Sequence, residues 1–72
     1  MNNTQQPTST LNLRNNLRKY GYNNLANAIT QTGNEYHKAK MGQITVEGGT
    51  TGAYNRWQTA IEKGRNAMRS LA

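Results

Sequence analysis

The large apolar side chains of this sequence are few, and nearly all of them recur with the period of an α-helix. From residue 53 onward, Ala53, Tyr54, Trp57, Ala60, Ile61, Gly64, Met68 and Leu71 fall within an arc of about 120° on a helical wheel. Leu13, Leu17 and Tyr20 follow the i, i+4, i+7 spacing of a second stripe. Tyr22, Leu25, Ile29, Thr32, Tyr36 and Ala39 form a third, within about 100°. These three stripes predict an all-α fold, a small three-helix module with helices at 10–20, 23–41 and 53–71. Ser9 or Thr10 suits the N-cap of the first helix, and Gly21 its left-handed end. Thr50 or Thr51 suits the N-cap of the last.

Two segments leave alternatives open. Gly33 falls inside the second stripe and costs about 1 kcal/mol in a helix interior relative to Ala. A break at Thr32–Gly33, with Asn34 capping a fourth short helix, competes with one continuous helix. The apolar phase survives the glycine, which favours continuity. Gly42 closes that element, and Gln43-Ile44-Thr45-Val46-Glu47 then alternates polar with β-branched residues, a short strand signal. With no second strand in the chain, 43–47 is either an extended loop or an edge for another molecule. Residues 48–52 (Gly-Gly-Thr-Thr-Gly) read as an extended Gly-rich link. Residues 1–9, polar and uncharged, read as a flexible, disordered arm, leaving 10–72 as a single small helical domain.

In 72 residues only 33% are apolar, there is no Phe, and mean hydropathy is −0.99. For chains of this size, burial at about 25 cal/mol per Å² comes out near balance with about 1.5 kcal/mol of ordering entropy per residue. The usual remedies are disulfides, a metal or a partner, and the absence of Cys removes disulfides and thiolate metal sites. A larger protein assembly or a homo-oligomer is the remaining source of stability.

Nine Lys and Arg against three Glu and no Asp give a net charge of +6 and a pI of about 10.2. The positive charge sits in two blocks. The first is Arg14, Arg18 and Lys19; the second is Arg56, Lys63, Arg65 and Arg69, offset only by Glu62. Between them Lys38 and Lys40 are balanced by Glu35 and Glu47. These nine cations are the candidate polyanion-binding residues, and nucleic acid or an acidic protein surface is the partner they suit. The plainer reading of the same charge is solubility. Tyr20, Tyr22, Tyr36, Tyr54 and Trp57 interleave with the cations, as in proteins that stack bases. All five also lie on the apolar stripes, where packing accounts for them equally well. Tyr54, Trp57, Ile61 and Met68 are the candidate partner interface on the last helix, with Trp57 its main anchor.

Charged residues make up 17% of the chain, and its polar bulk is eleven Asn, nine Thr, five Gln and seven Gly. This acid-poor, cysteine-free profile resembles that of small bacteriophage virion proteins. The resemblance is one of composition, without a shared motif, and implies an accessory or minor capsid component.

Catalytic chemistry finds little to work with. The three carboxylates, Glu35, Glu47 and Glu62, fall on different elements, and His37 is the only histidine, so neither an acid–base pair nor a metal site is legible. No cofactor or small-molecule substrate is expected. Glu47-Gly-Gly-Thr-Thr-Gly before a helix lacks the Gly-Lys-Ser/Thr ending of a nucleotide loop, and reads as a turn with an N-cap. Residues 23–41 fit a helix-turn-helix loosely, with 34–41 presenting His37, Lys38 and Lys40 to a groove. The apolar face of the last helix is thin in large aliphatics, so a membrane is not the expected partner. Met1–Thr10 has no basic start or apolar run, as a signal peptide would, and no apolar stretch spans a bilayer. The expectation is a non-enzymatic basic accessory protein of a virion or the host cytoplasm. A small helix-turn-helix DNA regulator and a small inhibitor of a nucleic-acid enzyme are the alternatives.

Overall fold

In the computed structural model, which describes residues 10–71, the chain is three helices: α1 (Thr10–Lys19), α2 (Asn23–Lys40) and α3 (Gly49–Ser70). No strand occurs among the described residues. The proposed arm at 1–9, and Ser9 as a cap, lie outside them.

The first two helices end by the same device. Gly21 and Gly42 take φ of +86° and +79°, a left-handed conformation that costs a residue with a Cβ about 1–2 kcal/mol. After α1, the Tyr22 amide donates to the Leu17 carbonyl (2.8 Å) and Gly21 to Arg18 (3.1 Å). After α2, Gln43 donates to Lys38 (2.8 Å) and Gly42 to Ala39 (3.1 Å). Each pair is a Schellman closure, which satisfies carbonyls that would otherwise end the helix unpaired. Tyr22 also starts α2, its carbonyl accepting from the Ala26 amide at 3.1 Å, so a three-residue link, 20–22, joins α1 to α2.

α2 is one helix through Gly33. The reason lies across the interface: a Cβ on Gly33 would sit 3.0 Å from Trp57 Nε1 and 3.1 Å from Cε2. The glycine lets the indole lie against the backbone of α2. Gly64 of α3 makes room for side chains of both α1 and α2, since its Cβ would meet Leu17 Cδ1 at 2.9 Å and Ile29 Cδ1 at 3.1 Å. Contacts of Gly33 with Trp57, Tyr36 with Tyr54, and Ile29 with Gly64 run in opposite order along the two helices, so α2 and α3 are antiparallel. The core where the three helices meet is Leu13, Leu17, Ala26, Ile29, Ala60 and Ile61, all buried. Around it pack Tyr22, Leu25, Ala28, Trp57, Ala67 and Met68.

Three expectations are corrected, and two open alternatives are decided. The Gly-rich stretch is not an extended link: α3 begins at Gly49 rather than 53, after Gly48 at φ +80°. Thr50 and Thr51 therefore lie within its first turn, and no side chain caps the helix. The roll-up depends on Gly52, where an added Cβ would lie 2.8 Å from the Glu47 carbonyl oxygen. Residues 43–47 form no strand; the Gln43 amide completes the end of α2, and the Val46 carbonyl accepts from Gly49 at 3.0 Å. Tyr20 leaves its stripe because α1 has ended, and its side chain is exposed. No turn divides α2, so the helix-turn-helix arrangement at 23–41 is not present. No helix among the described residues is long and apolar enough to cross a membrane.

Candidate polyanion interface

The antiparallel register of α2 and α3 gathers the aromatic residues that sequence spacing scatters. Tyr36 stacks on Trp57, with ring centroids 5.5 Å apart and planes inclined by 27°. Tyr54 lies tilted against Tyr36 at 5.3 Å, and His37 meets the Tyr36 ring at 5.3 Å and the Trp57 ring edge-on at 5.4 Å. Tyr54 and His37 are exposed, while Tyr36 and Trp57 are half-buried. The ammonium of Lys40 stands 5.8 Å over the Tyr36 ring, within cation–π range. Four rings and a cation thus share one continuous surface patch.

Beside it α1 contributes Arg14, the one half-buried cation of the nine. Its Nη1 donates to Thr30 Oγ1 (2.7 Å), and the Thr30 hydroxyl donates in turn to the Ala26 carbonyl (3.2 Å). A cleft of about 200 Å³ runs between the three helices here, lined by Thr10, Arg14, Ile29, Thr30, Gly33, Asn34, His37 and Trp57.

The other cations are spread over the surface. Arg18 and Lys19 close α1, with Lys19 5.9 Å over the Tyr20 ring; Lys38 and Lys40 close α2. All four complement a helix C-terminus, where positive charge is favourable. Arg56 donates to the Glu47 carbonyl at 3.1 Å and steadies the loop before α3. Lys63 and Arg65 are exposed farther along α3. Among the described residues the single ion pair is Arg69 with Glu62 at 3.6 Å, both largely exposed, and Arg69 also donates to Asn66 Oδ1. The remaining eight cations have no carboxylate partner there, so the +6 charge is presented rather than neutralised. No described His, Cys, Asp and Glu form a group of three or more able to hold a metal.

Comparison with protein-family profiles, curated proteins and solved structures finds no match to this chain.

Of the residues singled out by sequence, Tyr36, Tyr54 and Trp57 join the patch, and Arg14 and Lys40 are brought beside it. Met68 packs against the core while half-buried, and Ile61 is itself core at 5% exposure. Lys63, Arg65 and Arg69 lie beyond the aromatic cluster on α3. Sequence reasoning missed Thr30 and Asn34, and placed His37 only on a groove-reading helix rather than against Trp57. His37 looks solitary because nothing near it in sequence is its partner. The signal lay in the complementary positions of Gly33 and Trp57, a hole and a bulky ring on facing stripes.

Proposed function

We propose that this protein is a non-enzymatic, basic accessory module that binds nucleic acid while docked on a larger assembly. The observation that supports this best is the patch of Tyr36, His37, Tyr54 and Trp57 with Lys40 over one ring, in a chain whose cations are almost all unpaired. Exposed rings give flat faces to bases of any sequence, and unpaired cations attract the backbone phosphates. Single-stranded nucleic acid suits that combination, because only unpaired bases can reach the rings. The composition supports a bacteriophage virion as the setting, with the capsid or an assembly intermediate as the larger partner.

Fluorescence anisotropy with a labelled single strand of roughly 12 nucleotides, within the usual site size, tests the reading. Binding that weakens steeply with salt is expected, together with quenching of Trp57 emission. Replacing both Tyr36 and Tyr54 by Ala should weaken binding by about 1–3 kcal/mol per lost stack. A preference for duplex over single strand would instead favour a regulator reading through Lys38 and Lys40. No binding at low salt would end the nucleic-acid reading.

A further inference from the structure

Thr50 and Thr51 stand where their usual service is not required. Gly48 holds the position before α3, so neither threonine caps it, and both are exposed in the first turn. Threonine is a poor helix former, favoured at a helix start chiefly as the cap. Among the described residues no protein group bonds to either hydroxyl. Tyr54 follows three and four residues later, on the same side of the helix. Helical side chains lean toward the N-terminus, which brings its ring back over this turn. Tyr36 meets that ring from α2, with centroids 5.3 Å apart and planes inclined by 58°. Tyr36, Thr50, Thr51 and Tyr54 together line a cavity of about 420 Å³ that is open to solvent. Small-molecule sites typically measure about 300–1,000 Å³. None of the four lining residues is charged, so the cavity suits a flat, neutral group with a hydrogen-bonding edge better than an anion. Trp57 already stacks on Tyr36, whereas Tyr54 keeps 44% of its surface exposed and is the ring available for stacking.

We propose that this cavity is a subsite for one unpaired nucleobase, stacked on Tyr54 with its edge toward Thr50 and Thr51. A hydroxyl both donates and accepts, so the pair can meet the edge of any base. Lys40, 5.8 Å over the Tyr36 ring, offers a cation to the attached phosphate without entering the lining. The owner of the base rests on the nucleic-acid reading. What is added is one defined seat for a single nucleotide, where that reading needs only exposed rings.

The test follows the threonine methyl signals of the full chain, ¹³C-labelled at Thr, during titration with an all-thymidine strand of roughly 12 nucleotides. A base on Tyr54 should shift the Thr50 and Thr51 methyls along one saturable curve, while Thr59, exposed farther along α3, stays still. Changing both Thr50→Val and Thr51→Val keeps the β-branched shape and removes only the hydroxyls. Affinity should then fall roughly tenfold, at an unchanged helical circular dichroism signal. Unchanged affinity in that double variant overturns the subsite. Strand binding with both methyls unmoved also overturns it, and leaves the nucleic-acid reading standing. An abasic strand of equal length that shifts the same methyls equally overturns the base assignment in favour of the sugar–phosphate backbone. A duplex that shifts them as strongly as the single strand overturns the need for an unpaired base. Adenosine that shifts both methyls in a chain that binds no strand keeps the subsite and removes the nucleic-acid reading.

Discussion

Gly64→Ala asks whether α1 is seated on α3 as described. Two effects compete. Ala is favoured over Gly in a helix interior by about 1 kcal/mol. Against that, the new Cβ would lie 2.9 Å from Leu17 Cδ1, 3.1 Å from Ile29 Cδ1 and 3.5 Å from Leu13 Cδ2. Leu17, Ile29 and Leu13 are 0%, 1% and 2% exposed, so no methyl can retreat into solvent. Overpacking of a closed core costs about 1–3 kcal/mol, which leaves a net loss of roughly 1 kcal/mol. Urea denaturation followed by circular dichroism at the helix band reads this as a lower midpoint at unchanged slope. Leu17→Val removes the Cδ atom nearest the clash. In that background Gly64→Ala should cost less, by a coupling of at least about 0.5 kcal/mol. A Gly64→Ala protein that gains the full helix-propensity benefit, or a double variant that is additive, would refute the packing of α1 against Gly64.

Gly42→Ala meets nothing within 4 Å, so its loss of about 1–2 kcal/mol in the same denaturation is a backbone effect of the left-handed turn alone. Trp57→Ala should cost about 3–5 kcal/mol, enough to leave a chain of this size largely unfolded by circular dichroism at 25 °C. Glu62→Gln should change stability by less than about 1 kcal/mol, because its pair with Arg69 is well exposed and screened by solvent. Thr30→Val removes the acceptor of Arg14 Nη1 and should lower stability by about 1 kcal/mol, read as a lower midpoint in the same urea denaturation.

How far this architecture could be read from residues alone depends on the kind of information each part carries. Helix periodicity is local, so Leu13 and Leu17, the continuous stripe from Leu25 to Tyr36, and the long last helix were legible, as were the left-handed end at Gly21 and the stop at Gly42. The start of α3 was not, because two adjacent glycines are compatible with either an extended link or a helical turn. What decides is the Glu47 carbonyl resting on Gly52, a contact that spacing along the chain does not encode. The candidate site shows the same division. Trp57 stood out as an aromatic among cations, but its neighbours Tyr36 and His37 come from another helix, at a register that spacing does not encode. Ile61 and Tyr54 sit on one predicted stripe, yet one is core and the other exposed, because a stripe states a direction and not the width of what covers it.

The brevity of α1 has a dynamic consequence. Ten residues are too few to persist as a helix without support, and α1 is anchored through Leu13, Leu17 and the Arg14–Thr30 bond. Its amide protons should exchange with solvent ahead of those in the α2–α3 hairpin, as a separate opening step. Because Arg14 rides on this helix, its bond to Thr30 should break and reform with each such opening.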